Sequence, residues 1–542
     1  AGDREWMAMT LVQPRRVAAV IGGRQGGIPV AAGPAEDVAA QPGRVVRSTN
    51  PARLDDVVAE VELVDPETFV TAAGAARAAQ PGWAEVPAPV RAVVIGNLGR
   101  LVADNAEALA RLVTREVGKP LAEARGEVQE IIDTCAFFVG EGRRLYGDTV
   151  PSEMPDRQLF TFREPLGVML VITAGNFPVA VPSWYLVPAL LAGNAVVFKP
   201  AEYAAACGQA LVELVRAAGV PDGVVNLVPA DGPTTSIGLE LALDAGDVDK
   251  VGFTGSTPVG RFVGALCGRH LQTPCLELGG KNAMVIAPDA DLDAAVRGAL
   301  FAGFATAGQR CTSLGTVIVH ESLHAEFRRR LDAALRAAVI GDPMRDVLYG
   351  PLLDARFATG FEEHLARIAG HHEVFGSSAV GRISAARPRA GFVGDPEAGL
   401  YYHPVVVDGV RADDELFTEE TFGPVVAMTT YRHLDEAIEL ANAPGYGLSA
   451  SVYTRDPATV FRFRRGVSAG MVNVNNSTCG AEAHLPFGGN GRSGNGSRQS
   501  GRWMLDQVTR WQAMTWDYSG RLQRAQMDTM VPPADLGFRL DV

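Results

Sequence analysis

The sequence predicts an α/β protein built on two parallel sheets. Its 542 residues exceed what one ordinary hydrophobic core organises, so two or three domains are expected. Short unbroken apolar runs alternate with helix-length segments, and Gly-rich polar strings sit where those runs end. Composition bounds the function classes. The chain is 47% hydrophobic and 20% charged, as in globular proteins, and has no run of roughly 18 apolar residues that would span a membrane. A net charge of −13 speaks against a nucleic-acid partner. The start, with Asp3, Arg4 and Glu5, lacks a secretory pattern. The six cysteines are scattered with no zinc-type pairing, so no metal site is expected and a reducing cytoplasm is.

The first 45 or so residues, rich in Gly, Ala and Pro, read as a loosely ordered arm. Apolar residues at three- and four-residue spacing predict helices from Pro66 to Phe138. Val168-Met169-Leu170-Val171-Ile172 is the first buried-strand run, followed by a helix over about 179–191 and the strand Ala195-Val196-Val197-Phe198. A helix over about 205–218 leads to a strand at 224–228, and Lys250-Val251-Gly252-Phe253 is the next strand. Strands alternating with helices of this length imply right-handed crossovers in a parallel sheet. A second alternating set from Asn282 to about Val474 predicts another α/β domain, with 371–401 as a surface loop.

Open parallel sheets bind ligands at the carboxyl ends of their strands. Lys199-Pro200-Ala201-Glu202 follows one strand directly. Lysine can reach ribose or phosphate oxygens, and glutamate can accept both hydroxyls of an adenosine ribose while repelling a 2′-phosphate. That favours NAD over NADP; a solvated Lys/Glu turn would look the same. Gly255-Ser256-Thr257-Pro258-Val259-Gly260 stands at a strand-to-helix turn, where backbone N–H groups can meet a pyrophosphate or simply close a turn.

Cys311, in Gly308-Gln309-Arg310-Cys311-Thr312, and Glu277, 34 residues upstream in Leu276-Glu277-Leu278-Gly279-Gly280, are a thiol nucleophile and a carboxylate base. Attack on a carbonyl creates an oxyanion, and Asn176 in Asn176-Phe177-Pro178 can offer it an amide N–H. Each residue taken singly has a plain structural reading, as packing, surface charge or turn.

Together with Phe253-Thr254-Gly255-Ser256-Thr257, Glu420-Thr421-Phe422-Gly423-Pro424 and Pro486-Phe487-Gly488-Gly489, these strings resemble the NAD(P)-dependent aldehyde dehydrogenase superfamily over roughly residues 45–520. The resemblance implies Cys311 as nucleophile, Glu277 as general base and Asn176 as oxyanion donor. It implies an NAD site formed by Ile172, Thr173, Lys199, Glu202, Gly232, Phe253, Thr254, Gly255, Ser256, Val259, Leu278, Glu420 and Phe422. It also implies an aldehyde dehydrogenase fold: a Rossmann-like cofactor domain (1–148 and 166–278), a catalytic domain (279–483), and a small β flap for homodimer or homotetramer assembly with the C-terminal tail (149–165 and 484–542). Two departures stand out. Ala174-Gly175 replaces the frequent Pro-Trp, and Gln499 stands where relatives often carry a second glutamate.

Within the superfamily, Glu127-Val128-Gln129-Glu130, Ala307-Gly308-Gln309-Arg310-Cys311-Thr312 and Gly480-Ala481-Glu482 are similar to the α-aminoadipic semialdehyde (antiquitin-like) dehydrogenases. Phe137-Phe138-Val139-Gly140-Glu141-Gly142 is closer to the ketoglutaric semialdehyde dehydrogenases. The resemblance implies that Arg310, Gly480 and Ala481 receive a distal carboxylate, that Glu130 receives an amino group, and that Phe177, Trp184 and Thr312 line the substrate path. Neutral aldehydes, a phosphorylated aldehyde clamped by Arg310, and a catalytically silent homologue are the rival readings. A CoA-acylating relative would not need Glu277.

Overall fold

The structure is a computed structural model that describes residues 13–26 and 44–541. Four helices precede the first parallel sheet: α1 (Pro66–Ala84), α2 (Ala88–Asp104), α3 (Ala106–Val117) and α4 (Leu121–Glu141). Helix α1 starts where Asp65 caps the Thr68 N–H at 2.7 Å ahead of Pro66, whose missing N–H costs nothing there. Helix α3 stops at Gly118, whose φ of 71° a side chain would resist. Among the described residues no single helix is long and apolar enough to cross a membrane; α1 and α2 pass that test only as a pair bent by 116°. Their apolar residues Phe69, Ile95 and Leu98 are buried in the core.

The cofactor-side sheet runs, in spatial order, Cys275–Glu277, Lys250–Thr254, Val168–Ile172, Ala195–Lys199 and Val225–Leu227, all parallel. Successive strands step outward on opposite sides of Val168–Ile172, so the strand order reverses beside that central strand and opens a crevice there. Helix α5 (Ala180–Ala192) packs between α4 and this sheet and is buried all round, which is why its sequence shows no polar face. The second sheet is ordered Glu373–Phe375, Val405–Asp408, Val425–Tyr431, Leu314–His320, Asn282–Ile286, Ser449–Tyr453 and Met471–Val474, parallel except at its first edge. A separate three-stranded sheet joins Thr149–Val150, Arg157–Pro165 and Thr509–Asp517, and among the described residues one edge of the last strand has no neighbour.

Three expectations need correction. The N-terminal arm is partly built into the fold: Arg15–Val17 pairs with Arg53–Glu62, and Val20–Ile21 adds an antiparallel strand to the cofactor-side sheet. The rest of that arm lies largely outside the described residues. Residues 484–508, grouped with the flap by sequence, pack against the cofactor side, with Phe487 in its core and Gln499 donating to the Tyr185 hydroxyl. The 371–401 loop also contains short strands at Glu373–Phe375 and Phe392–Val393.

Buried Asn194 ties these parts together. Its amide accepts from Gly167 N–H at 2.9 Å and donates to the carbonyls of Ala189 (3.1 Å) and Val508 (2.9 Å). Asn194→Ala removes the partner of the Gly167 N–H and of the Val508 carbonyl, while the Ala189 carbonyl keeps the backbone N–H of residue 194, so chemical denaturation should show a loss of about 2 kcal/mol or more.

Candidate active site

A cavity of about 780 Å³ opens at the carboxyl ends of the cofactor-side strands and extends to the second domain. Ile172, Lys199, Thr254 and Glu277 are the last residues of their strands, so sheet geometry alone delivers them to this edge. All the positions named from sequence for the dinucleotide line the cavity: Ile172, Thr173, Lys199, Glu202, Gly232, Phe253, Thr254, Gly255, Ser256, Val259, Leu278, Glu420 and Phe422. So do Asn176, Phe177 and Cys311.

Lys199 and Glu202 form an ion pair at 3.6 Å, and Arg356 adds a second at 2.8 Å. Burial raises the Glu202 carboxyl, but Lys199 and Arg356 outweigh it and hold the group below its ordinary value. The carboxylate is therefore engaged, and a ribose hydroxyl must share it with Arg356. Arg356 and Phe357 come from the helix Ala355–Leu365 of the other domain, and Phe357 packs between Tyr203 and Phe422. Sequence reasoning missed both, because no local motif marks a helix that reaches across a domain boundary. Tyr203 also explains the Ala174-Gly175 departure: a Cβ on Gly175 would lie 2.4 Å from its ring.

Cys311 follows a tight turn in which Thr306, Ala307 and Gly308 all have φ between 51° and 69°. A Cβ on Gly308 would meet the Gly423 carbonyl at 2.2 Å, so the glycine is sterically required. Asn282, another residue unmarked by sequence reading, donates to the Cys311 carbonyl at 2.8 Å and anchors the nucleophile to the second sheet. Asn176 donates to the Gln309 carbonyl at 2.9 Å; an amide carries two N–H groups, so one remains for an oxyanion. Burial, reinforced by the charges of Glu277 and Glu420, pushes the Cys311 thiol up to about 12.

Glu277 is buried, and among the described residues no donor reaches either oxygen in normal hydrogen-bond geometry, although the Gly489 N–H approaches it. Burial raises its pKa well above the ordinary value, more than nearby Arg498 and the Gly489 N–H lower it. Gly488 makes room for it, since a Cβ there would stand 2.6 Å from Glu277 Oε1. Glu420 accepts from Gly280 N–H at 3.1 Å, and burial raises it to about 7. Gln499, in place of a second glutamate, is turned to Tyr185.

A second cavity of about 390 Å³ lies across the start of α5: Val181 faces the first cavity and Trp184, one turn on, faces the second. Glu130, Asp133, Phe137, Ala481, Glu482 and His484 complete its main walls, and no lysine or arginine is among them. Glu130 is largely buried, its Oε2 has no partner, and burial with the charge of Glu127 raises it to about 7. Arg310, expected to clamp a substrate carboxylate, already has a partner. Its guanidinium is paired with Glu123, and it lines neither cavity. Gly480 is exposed and also lies outside both walls. Thr312 is buried, with its carbonyl accepting from the Thr478 hydroxyl at 2.8 Å.

Among the described residues, His371, His372 and Asp414 form the one cluster with metal-type donors. His372 Nδ1 accepts from Ala369 N–H, which leaves Nε2 as the protonated nitrogen that donates to Asp414 at 3.0 Å. Hydrogen bonding accounts for the cluster without an ion.

Comparison with known proteins agrees with this geometry. The profile of the Aldehyde dehydrogenase family matches residues 38–514, and the chain belongs to that family. It is 34% identical over 475 residues to the alpha-ketoglutaric semialdehyde dehydrogenase of Bacillus subtilis, covering 88% of this chain and 95% of the relative. It is likewise 34% identical over 495 residues to the alpha-aminoadipic semialdehyde dehydrogenase of Mus musculus, covering 89% and 88%. Betaine aldehyde dehydrogenase from Staphylococcus aureus, solved in complex with NAD+, superimposes with a TM-score of 0.86 at 27% identity, covering 95% of this chain and 97% of the other. The fold is that of the family, and the protein is an oxidoreductase acting on aldehydes.

The isolated carboxyl of Glu277 makes a pH prediction. A group whose pKa is raised on folding binds its proton more tightly in the folded state. Its contribution is full at low pH and is lost as pH rises above the ordinary carboxylate value of 4.5. Glu277→Gln should therefore melt at a higher temperature than wild type near pH 8, about the upper end of the usual stability range, and the gap should close on acidification. Thermal unfolding across pH checks this; a constant gap would mean that Glu277 has another buried partner.

Proposed function

We propose that the protein oxidises an aldehyde to the carboxylic acid with NAD through a thioester on Cys311. The carrying observation is a thiol and an amide N–H that line one cavity at the carboxyl edge of a parallel sheet, with the buried carboxylate of Glu277 behind the wall at Leu278 and close enough for its charge to act on Cys311. The cavity fits a dinucleotide. The helix Thr257–Arg269 starts there with no side-chain cap at Ser256, so its first N–H groups are available to a pyrophosphate. Lys199 and Glu202 would hold the adenosine ribose. Glu420 and Phe422 would hold the nicotinamide riboside; Gly279 gives Glu420 its place, since a Cβ there would come within 1.9 Å of the carboxylate. NAD, when bound, supplies the hydride acceptor.

The Cys311 thiol first gives up its proton to water in the cavity it lines; the thiolate then adds to the carbonyl carbon, and the oxygen gains the negative charge that the spare Asn176 N–H receives. After hydride departure the thioester remains. Glu277 takes a proton from water, whose oxygen bonds to the acyl carbon as the C–S bond breaks. A carboxyl raised by burial is a stronger base than an exposed one, which suits this task.

The second cavity bears on the substrate. Its free polar groups are acidic, and Arg310 is already neutralised by Glu123. This supports a semialdehyde carrying an ammonium group, received by Glu130. The semialdehyde relatives favour a second reading, in which a substrate carboxylate displaces Glu123 from Arg310. The free outer edge of Thr509–Asp517, with Trp511 and Trp516 exposed, supports assembly into a homodimer or homotetramer. Six unpaired cysteines support a cytoplasmic location.

Cys311→Ala should abolish NADH formation while calorimetry still detects NAD binding, and Glu277→Gln should release about one NADH per site and then stall. Steady turnover by Glu277→Gln would remove that residue from the hydrolytic step. In a panel of aminoadipic, ketoglutaric and succinic semialdehydes and hexanal, Glu130→Gln should cost the amino-bearing substrate about tenfold in kcat/KM relative to the others. A selective loss of the dicarboxylate semialdehydes in Arg310→Ala would instead establish the second reading.

A further inference from the structure

Helix α4 presents Glu123, Glu127 and Glu130 from successive turns of one face. Glu130 opens onto the second cavity, whereas the other two reach the segments that carry the reacting groups. Glu127 Oε1 accepts the backbone N–H groups of Val179 (2.9 Å) and Ala180 (3.1 Å). These stand at the start of α5, whose own N-cap residue, Val179, supplies no capping side chain. Glu127 thus caps α5 from another helix, and the capped turn directly follows Asn176-Phe177-Pro178. Its charge is balanced by buried Lys119, whose ammonium also lies 3.3 Å from the centre of the Phe177 ring.

Glu123 serves the opposite segment. It accepts the Thr306 N–H at 3.0 Å and the Thr306 hydroxyl at 2.5 Å, and it pairs with Arg310 beside the nucleophile. Thr306 and Ala307 hold left-handed backbone angles that non-glycine residues keep only under outside restraint. The Asn176–Gln309 bond then closes the circuit between the two segments.

We infer that Glu123 and Glu127 are positioning residues: they fix the oxyanion-donor segment at Asn176 and the nucleophile segment at Cys311 to one rigid helix, and so set the distance between them. Neither residue lines the cavity at Cys311. Arg310 then acts as a brace between Glu123 and the nucleophile loop. The kinetic consequence rests on the thioester mechanism proposed above; the placement of the segments does not.

Hydrogen exchange and kinetics on Glu123→Ala and Glu123→Gln test this. In Glu123→Ala, amide exchange over residues 303–312 should rise about tenfold, while the strand Val405–Asp408 exchanges as in wild type. Its kcat should fall about 30-fold or more, with KM for the aldehyde within about threefold. Glu123→Gln still accepts from Thr306 but cannot pair with the Arg310 charge, so exchange should rise only about threefold and kcat should recover in part. The inference is overturned by a uniform rise in exchange, by wild-type kcat in Glu123→Ala, or by equal damage in both variants. Should Glu123→Ala fail to fold, Glu123→Gln decides: a local rise supports the inference, and wild-type exchange and kcat overturn it. A wild type that oxidises no aldehyde would sink the functional reading and leave the exchange comparison standing.

Discussion

The hydrogen bond from Asn176 to the Gln309 carbonyl joins the two domains at the point where the chemistry needs both. Asn176 belongs to the loop after the central strand of one parallel sheet, and Gln309 to the turn before the nucleophile of the other unit. A thiol and an oxyanion donor on separate domains would drift relative to one another unless something short and directional joined them. Here the junction is made by backbone acceptors and buried side chains. Asn282 holds the Cys311 carbonyl, and Gln309 itself accepts from Leu353 N–H at 2.9 Å while donating to the carbonyls of Thr306 and Pro351. Polar groups this well paired define one arrangement rather than several.

The charges inside the site follow a different rule. Cys311, Glu277 and Glu420 are all pushed toward their neutral forms by burial, and Lys281 is lowered to about 8 for the same reason. Paired charges in the framework, such as Lys119 with Glu127 and Arg310 with Glu123, stay engaged with one another. The groups that would exchange protons therefore sit in isolation, and the groups that hold segments in place sit in pairs. An unpartnered buried carboxylate is costly to fold around. Its persistence at Glu277, with a glycine opposite to give it room, marks a position where stability yields to chemistry.

Much of this was legible in the sequence because strand ends and functional groups coincide. Ile172, Lys199 and Thr254 each close or directly follow a strand run read from the sequence, and the pattern that signals the strand also locates the residue. The groups that escaped reading act across domains. Arg356 and Phe357 reach Glu202 and Phe422 from a helix of the other unit, and Asn282 and Glu123 act through backbone atoms of distant segments. The N-terminal strands escaped because two or three residues of pairing leave no periodicity to detect. The ion pair of Arg310 escaped reading for a related reason: a guanidinium beside a nucleophile looks available until its partner, far away in sequence, is seen.

That partner changes where selectivity resides. With Arg310 paired to Glu123, a dicarboxylate substrate must break one charge-assisted contact to make another, so the net gain is the difference between two similar interactions. Glu130 has no such prior commitment, and a donor placed against its free oxygen relieves a buried group that folding left unsatisfied. Discrimination is strongest where the site's own polar group is otherwise orphaned, because the wrong substrate then leaves it so. On that ground the proposed reading rests selectivity on the unpartnered oxygen of Glu130 rather than on the charge of Arg310.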